Sequence, residues 1–233
     1  MKIIFKIFLI LSFCSIILSA QANGKNFGLS FNANYTTTSQ LFLQPNSSDP
    51  IIRASHQSLN DIYSYSIELR FSLSETIIFG LGSEIIQKTF DNTLTLSGSK
   101  LIINDGYKVI PIEISAYYLV PFSTEKFKMF MGGGAGFYLG NHIREIGDVT
   151  ISNETKKAGF GIHVAVGFDY LIHEFIALRM QMRFREPEFR MESKYSDVNV
   201  NYLGKKYILP SESFSSKVDI DGVTFTFGAV IYF

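Results

Sequence analysis

The chain has 233 residues with 21 basic and 21 acidic side chains, so its formal net charge is zero. This balance provides no basic surplus for phosphate contacts, and no nucleic-acid partner is expected. Aromatic residues make up 15% of the sequence, and beyond the N-terminus the apolar residues are dispersed rather than gathered in long runs.

The N-terminus has the layout of a secretory signal peptide. Lys2 precedes an apolar run over residues 7–18, and a small-residue tripeptide ends at Ala22. The run is shorter than the roughly 20 residues that a membrane-spanning helix needs. We therefore predict a cleavable signal peptide over residues 1–22 and a single domain over residues 23–233.

Residues 63–71 show strict alternation. Their odd positions are apolar or aromatic and their even positions carry Ser, Glu or Arg, which predicts a strand and argues against an amphipathic helix. Residues 223–233 alternate in the same way. Similar segments predict further strands at residues 26–37, 77–90, 107–120, 127–140, 158–170 and 175–185.

The connectors between these eight predicted strands alternate in length. Short connectors are expected near residues 74–76, 121–126 and 172–174, and long polar loops near residues 39–59, 91–106, 141–157 and 186–217. Short turns at one end and long loops at the other are typical of a transmembrane barrel, whose tilted strands need about 9–11 residues each. The predicted fold is therefore all-β, an eight-stranded antiparallel up-and-down transmembrane β-barrel. A soluble β-sandwich or lipocalin, with the charged face in solvent, is the alternative.

The alternation also assigns the two faces of the predicted barrel. The apolar face is expected to contact lipid, and the face that carries the charges is expected to line the lumen. Because charges in a narrow interior must be paired or hydrated, we predict a lumenal ion-pair network. Its members are Glu68, Arg70, Glu84, Glu113, Arg179 and Arg183. Counting residues from the short connectors puts Glu84, Glu113 and Arg183 at similar depth, so we expect Arg183 to pair with Glu84 or Glu113.

Other residues are also assigned to the lumen. The further inward-facing charged or polar residues are Lys88, Lys128, His163, Asp169 and Arg185. Inward-facing glycines at 132, 134, 136, 161 and 167 either leave room for long arginine side chains or relieve the curvature of the barrel wall.

Several segments resemble a known family. They are Val-Ile-Pro-Ile-Glu-Ile at residues 109–114, the glycine-rich residues 132–138, residues 159–170 and the C-terminal residues 228–233. The chain resembles the OmpA-like and OmpX-like outer-membrane β-barrels over nearly all of the predicted domain. This resemblance implies an integral protein of the outer membrane of a Gram-negative bacterium, in contact with membrane lipids and lipopolysaccharide. The C-terminus also resembles the signal read by the outer-membrane assembly machinery, which implies contacts through Phe227, Ile231 and Phe233.

Few residues suggest chemistry. His56-Gln57-Ser58 places a base near a hydroxyl, but no acid is placed beside it, and His142 and His173 are expected in a loop and a turn. Cys14, the only cysteine, lies in the predicted signal peptide, and no His or Cys cluster has zinc spacing. We expect no catalytic residues, no metal and no cofactor.

Three functional hypotheses follow. The leading hypothesis is a structural or surface-interaction role carried by long extracellular loops, which would contact an extracellular ligand or a host surface. The second is a narrow porin-like channel for small solutes. The third is a lipid-modifying outer-membrane enzyme.

Overall fold

The structure, a computed structural model, describes residues 26–96 and 98–233, so the predicted signal peptide lies outside the described residues. Within this part of the chain, no helix is both long and apolar enough to cross a membrane. The elements are β1 (Phe27–Phe42), α1 (Pro50–Ala54), β2 (Gln57–Ser72), β3 (Ile77–Leu96), β4 (Ser99–Leu119), β5 (Phe127–Ile146), β6 (Val149–His173), β7 (Ile176–Arg185), β8 (Glu188–Tyr195), β9 (Asn199–Tyr202), β10 (Lys205–Ile208), β11 (Phe214–Asp219) and β12 (Val223–Tyr232).

Ten of the twelve described strands form one antiparallel sheet whose pairing returns to its first strand, while β9 and β10 pair only with each other. Each of β1 to β6 pairs with the next strand, β6 pairs with β7, β7 with β12, and β12 with β1. Closure of this kind satisfies backbone hydrogen bonds without leaving an edge, which is the condition for a sheet in lipid. We call this ring the lower tier.

A second set of pairings continues the wall beyond the lower tier. Here β6 pairs with β8, β8 with β11, and β11 with β1, and we call this part the upper tier. Only Glu186 and Pro187 separate β7 from β8. Because proline fixes φ and lacks an N–H donor, it interrupts the ladder at this height. The long strands β1 to β6 therefore run through both tiers, while the remaining wall consists of shorter segments.

The structure corrects the predicted loops and the strand count. Residues 91–106 and 141–157 are almost entirely strand, and residues 186–217 contain β8 to β10 and part of β11. The described residues thus form twelve strands rather than the eight predicted. One of the tight connections in the upper tier is the turn after β5, where Gly147 has a φ of +55°, a conformation that suits glycine. Residues 39–59, also predicted as a loop, include the ends of β1 and β2 as well as α1.

These loops were mispredicted because the chemistry of each face reverses along the strand. In β4 the inward positions of the upper tier are mostly apolar, with Leu101, Ile103, Tyr107 and Val109 beside the charged Asp105, whereas those of the lower tier include Glu113 and Ser115. The outward positions change in the opposite sense, from Lys100 and Asn104 to Ile112 and Ile114. Apolar groups face inward where the surroundings are water and outward where they are hydrocarbon. Apolar and polar residues therefore alternate along the whole strand, but the face that carries the apolar residues changes from inward in the upper tier to outward in the lower tier.

The upper tier consequently has an apolar core of its own. One cluster lies just above the lower tier and contains Leu41, Leu59, Ile62, Ile86, Tyr107, Val109, Tyr138, Phe189, Met191, Val218 and Ile220. A second contains Leu101, Ile103, Ile146, Val149, Tyr195, Val200 and Leu209. The space enclosed by the upper tier, on the side of the barrel away from the short turns, is therefore filled with apolar side chains.

Candidate functional site

The interior of the lower tier carries a balanced set of buried charges. Four arginines face four carboxylates, and all eight side chains are buried. Removing charges from water is costly unless they are paired and hydrogen-bonded, so this balance is what a narrow interior demands. The eight are Arg70, Arg179, Arg183, Arg185, Glu68, Glu84, Glu113 and Asp169.

Arg179 is the centre of the layer nearest the short turns. Its Nε lies 2.7 Å from Asp169 Oδ1 and its Nη2 lies 2.8 Å from Asp169 Oδ2, so the pair is bidentate. Its Nη1 donates to Glu68 Oε2 at 2.9 Å and to the Ser30 hydroxyl at 3.1 Å. Tyr232 adds a hydrogen bond of 2.6 Å to Asp169 Oδ2. Arg179 thereby links β7 to β6, β2 and β1 across the interior.

Arg70 completes this layer from the opposite wall. Its Nε donates to Glu68 Oε2 at 2.8 Å, and its guanidinium carbon lies 4.0 Å from the ring centroid of Tyr117 and 4.2 Å from that of Phe130. Cation–π contact of this kind is strongest where water is excluded. The Tyr117 hydroxyl donates to Glu68 Oε1 at 2.8 Å. Ion pairs and aromatic rings thus fill this layer together.

The next layer brings two more arginines of β7 to the far wall. Arg183 Nη1 donates to Glu113 Oε2 at 2.6 Å, where the sequence led us to expect Glu84 or Glu113 as its partner. Glu84 instead accepts from Arg185 Nη1 at 2.7 Å. Arg185 was expected to face inward but was not among the predicted members of the network. Its position two residues after Arg183, with the same inward parity, was the signal for including it.

The inward glycines of β5 serve the curvature of the wall. A Cβ placed on Gly132 would collide with the backbone carbonyl of Ala116, and one on Gly134 would collide with that of Ile114. Both obstacles belong to the backbone of the neighbouring strand β4, and neither is an arginine side chain. Glycine is therefore needed here because two strands approach closely, which supports the curvature interpretation.

These layers close the interior. Tyr117, Phe130 and Arg179 are each no more than 2% exposed, and the space enclosed beside Glu113 and Arg183 is about 10 Å³. A cavity of about 920 Å³ opens only at the end with the short turns, where Phe130 and Tyr232 are among the residues that line it. An enclosed water needs a volume of at least about 10–15 Å³. The two ion-pair layers therefore fill the lumen of the lower tier.

The outer surface of the lower tier is apolar. Exposed side chains include Phe31, Ile67, Leu81, Ile114, Phe137, Ile162, Met180 and Phe227, which come from eight different strands. Aromatic residues lie toward both borders, as with Tyr35 and Tyr63 on one side and Phe27 and Phe71 on the other. An apolar band between aromatic girdles is the outer surface of a membrane barrel.

Comparison with solved structures agrees with this description. The outer membrane protein OprG from Pseudomonas aeruginosa superposes with a TM-score of 0.58 at 13% identity, covering 90% of this chain and 96% of that chain. The chain has an outer-membrane β-barrel fold. Neisserial surface protein A is also similar, with a TM-score of 0.48 and 14% identity over 89% of this chain and 97% of that one. No protein-family model and no curated protein matches the sequence.

The predicted outer-membrane β-barrel fold is thereby confirmed, and the predicted localisation in the outer membrane of a Gram-negative bacterium agrees with it. Of the residues assigned to the assembly signal, Phe227 and Ile231 face outward and are about half exposed. Phe233 is buried against Phe27, with ring centroids 5.9 Å apart, and its amide donates to the Phe27 carbonyl. The C-terminal residue is therefore held against the start of β1, the strand that pairs with β12 to close the ring.

The barrel has a second buried polar cluster inside the upper tier, which was not predicted from the sequence. Asp105 accepts from Arg144 Nη2 at 2.6 Å and lies 2.7 Å from Nε2 of His142. Contrary to our expectation of a loop, His142 is buried on β5. The β5–β6 pairing is interrupted here, and Asn153 replaces it by accepting from the His142 amide at 2.8 Å. The continued alternation of His142, Arg144 and Ile146 was the available signal.

Both ionisable groups of the Asp105–His142 pair are shifted. Burial alone opposes ionisation of Asp105, but the hydrogen bond from His142 and the Arg144 guanidinium outweigh it and lower its pKa to about 2. Burial dominates for His142 and lowers its pKa below the ordinary 6.5. His142 is therefore neutral, with Nε2–H donating to the ionised Asp105.

This pair predicts that acid weakens the upper tier. The unfolded chain binds a proton at His142 below about pH 6.5 while the folded chain resists it, so stability is fully present above that pH and falls as the pH drops. We expect amide exchange of β5 near His142 to accelerate between about pH 8 and about pH 5, after correction for intrinsic rates, with a slope of at most about 1.4 kcal/mol per pH unit. His142→Gln should remove most of this dependence. An equal pH dependence in His142→Gln would contradict the assignment.

The remaining sequence candidates are not assembled into a site. His56 Nδ1 lies 3.2 Å from the carbonyl of Ala54, and its ring packs 5.1 Å from that of Phe42. His163 Nε2 and the Ser115 hydroxyl lie 2.9 Å apart, but both residues are buried among the ion pairs. Within the described ranges, no group of three or more His, Cys, Asp or Glu side chains is placed to hold a metal ion.

Proposed function

We propose that this protein is an integral outer-membrane barrel that crosses the bilayer with the eight strands of the lower tier. Its role is structural or surface-directed, and the upper tier forms an extracellular extension of the wall. In this proposal the protein neither conducts solutes nor catalyses a reaction. Membrane lipids and lipopolysaccharide surround the apolar band, and the outer-membrane assembly machinery inserts the chain.

The observation that carries the proposal is the filled interior. A conducting barrel needs a hydrated path, whereas here two ion-pair layers are followed by two apolar clusters in the same direction. An eight-stranded barrel has an interior that side chains can fill completely, and this chain supplies them throughout.

Planar-bilayer recording tests this proposal. The reconstituted barrel should show no steady conductance above the bare bilayer, because no layer of its interior holds a continuous water file. A large-lumen porin in the same bilayers controls for detection, and a migration shift on gels before and after boiling controls for folding. Steady single-channel openings from correctly folded protein would contradict the proposal and support the porin-like alternative.

The proposal includes cleavage of the signal peptide after Ala22. The mature protein extracted from outer membranes should begin at Asn23, because the apolar run ends four residues before Ala22 with small residues between. Intact-mass measurement of the extracted protein reads this directly. Retention of residues 1–22 on membrane-extracted protein would show that the segment is an anchor.

A further inference from the structure

We propose that the upper tier contains a docking site for an extended polypeptide, formed by an unpaired edge of β3. This inference rests on the proposed surface role and names the class of partner. Between β2 and β3 the register runs only from Ser72↔Ile78 to Ser64↔Ile86. On either side the pairing goes further, since β1–β2 reaches Gln57 and β3–β4 reaches Leu96. Residues 87–96 of β3 and 57–63 of β2 therefore face an open seam.

The hydrogen-bond pattern of β3 with its two neighbouring strands shows which backbone groups point into this seam. Leu119 donates from its amide to Thr76, and Leu73 donates to Ile77, so even positions of β3 bond to β4 and odd positions point toward β2. Above Ile86, the odd positions 87, 89, 91, 93 and 95 present their N–H and C=O groups to the seam. The Thr93 amide donates to the side chain of Asn92 at 2.8 Å. Among the described residues, no strand pairs with the other four positions on that side.

The seam is accessible and only lightly bridged. The Lys88 ammonium donates to the Asp61 carbonyl at 3.1 Å near the lower end of the seam. The helix α1 in the adjacent loop has no buried residue, so it does not pack over the edge. Lys88 and Asp91 place charge on the lower part of this edge, and no proline interrupts it; an uncharged, unpaired stretch of edge is a template for strand addition. From Asn92 to Leu96 the edge carries no charged side chain.

The chemistry of the seam selects the occupant. A row of alternating backbone donors and acceptors recognises another backbone, which favours an extended peptide. Side chains that this peptide directs inward would meet the apolar core at Leu59, Ile62 and Phe90, and those directed outward would lie beside Thr and Asp. The preferred ligand is thus an extended strand with alternating apolar and polar residues. A second copy of this chain fits less well. All copies have the same orientation in the membrane, so the β3 edges of two copies can pair only in parallel, and parallel pairing is slightly less stable than antiparallel pairing.

The first test needs no ligand. In the free, reconstituted protein, the amides of Thr89, Asp91 and Thr95 should exchange faster than those of the neighbouring even positions, which bond to β4. Equal protection at odd and even positions would show that the edge is covered, and it would overturn the proposal.

The second test uses a fluorescent peptide of alternating valine and threonine with lysines at its ends. Binding should be saturable and should slow exchange at Thr89, Asp91 and Thr95. Asp91→Pro and Thr95→Pro together should weaken it by about tenfold or more, since proline is tolerated at an unpaired edge but removes the donor. The matched variant, Asp91→Asn with Thr95→Val, keeps both amides and should bind as the parent does.

The outcomes separate this inference from the proposed function. Equal binding by the proline and matched variants, or no binding by the parent, would overturn the docking site even if the barrel does not conduct. Peptide-independent protection that rises with protein concentration would assign the edge to a second copy and overturn the peptide assignment. Gel migration before and after boiling, and exchange of the even amides, confirm that each variant folds.

Discussion

Replacing Arg179 with methionine is expected to lower the free energy of unfolding by about 3–5 kcal/mol, because it leaves the buried Asp169 without its ion-pair partner and removes one of the two arginines that pair with Glu68. Arg179 is 1% exposed and holds both Asp169 and Glu68 at less than 3 Å. Methionine fills much of the same volume, so the loss reports charge and hydrogen bonding more than a cavity. Urea titration of the barrel folded in lipid vesicles measures the change.

An exposed arginine of the same chain provides the matched control. Arg190 lies 3.0 Å from Glu188, but both side chains are about half exposed. Arg190→Met should therefore change the free energy of unfolding by no more than about 1 kcal/mol. Adding Asp169→Asn to Arg179→Met should recover part of the loss, while Glu68 keeps Arg70 as its partner. Equal effects of Arg179→Met and Arg190→Met would contradict a buried, mutually dependent network.

Replacing Ile114 with arginine is expected to destabilise the folded barrel by about 2–4 kcal/mol in lipid, because it places a charge on the apolar band near the midplane. Ile114 faces outward on β4 and is 64% exposed, although it is an isoleucine. In water such exposure would be unremarkable, and the substitution would be close to neutral. The cost therefore reports the hydrocarbon around this position.

Ile102 is the matched control, since it lies on the same strand, has the same outward parity and is 62% exposed. It belongs to the upper tier, so Ile102→Arg should change stability by less than about 0.5 kcal/mol. The comparison uses the same vesicles and the same urea titration. If Ile102→Arg cost as much as Ile114→Arg, the band would extend over both tiers, and if neither cost anything, the lower tier would lie in water.

Much of the lower tier could be predicted from the sequence. The segment predicted at 175–185 agrees with β7 (Ile176–Arg185), and the two faces of β7 are those expected, with Arg183 inward and Phe184 outward. Period-two alternation identifies a strand, and the membrane fixes which face carries the charges. The depth of Arg183 and Glu113, obtained by counting from the turns, also placed them together.

The upper tier could not be predicted in the same way. A run such as residues 99–108 reads as a polar loop when its charges are compared with the apolar outer face of a membrane strand. It becomes a strand once the surroundings are taken to be water, because Leu101 and Ile103 then belong to a core. The Asp105 cluster could not be predicted either, because its residues are recognised as inward-facing only when this part of the chain is taken to be a strand surrounded by water. Likewise, the pairing of Arg185 with Glu84 depends on the positions of opposite walls, which sequence spacing alone does not fix.

The boundary between the two solvents is the central claim, and fluorescence quenching along β4 tests it most directly. The chain has no tryptophan, so a single substitution at Ile102, Ile112 or Ile114 supplies the only one present. In vesicles that contain brominated lipid, tryptophan at 112 and 114 should be strongly quenched and tryptophan at 102 should fluoresce as in unbrominated vesicles. Quenching at 102 equal to that at 114, or its absence at 112 and 114, would contradict the account.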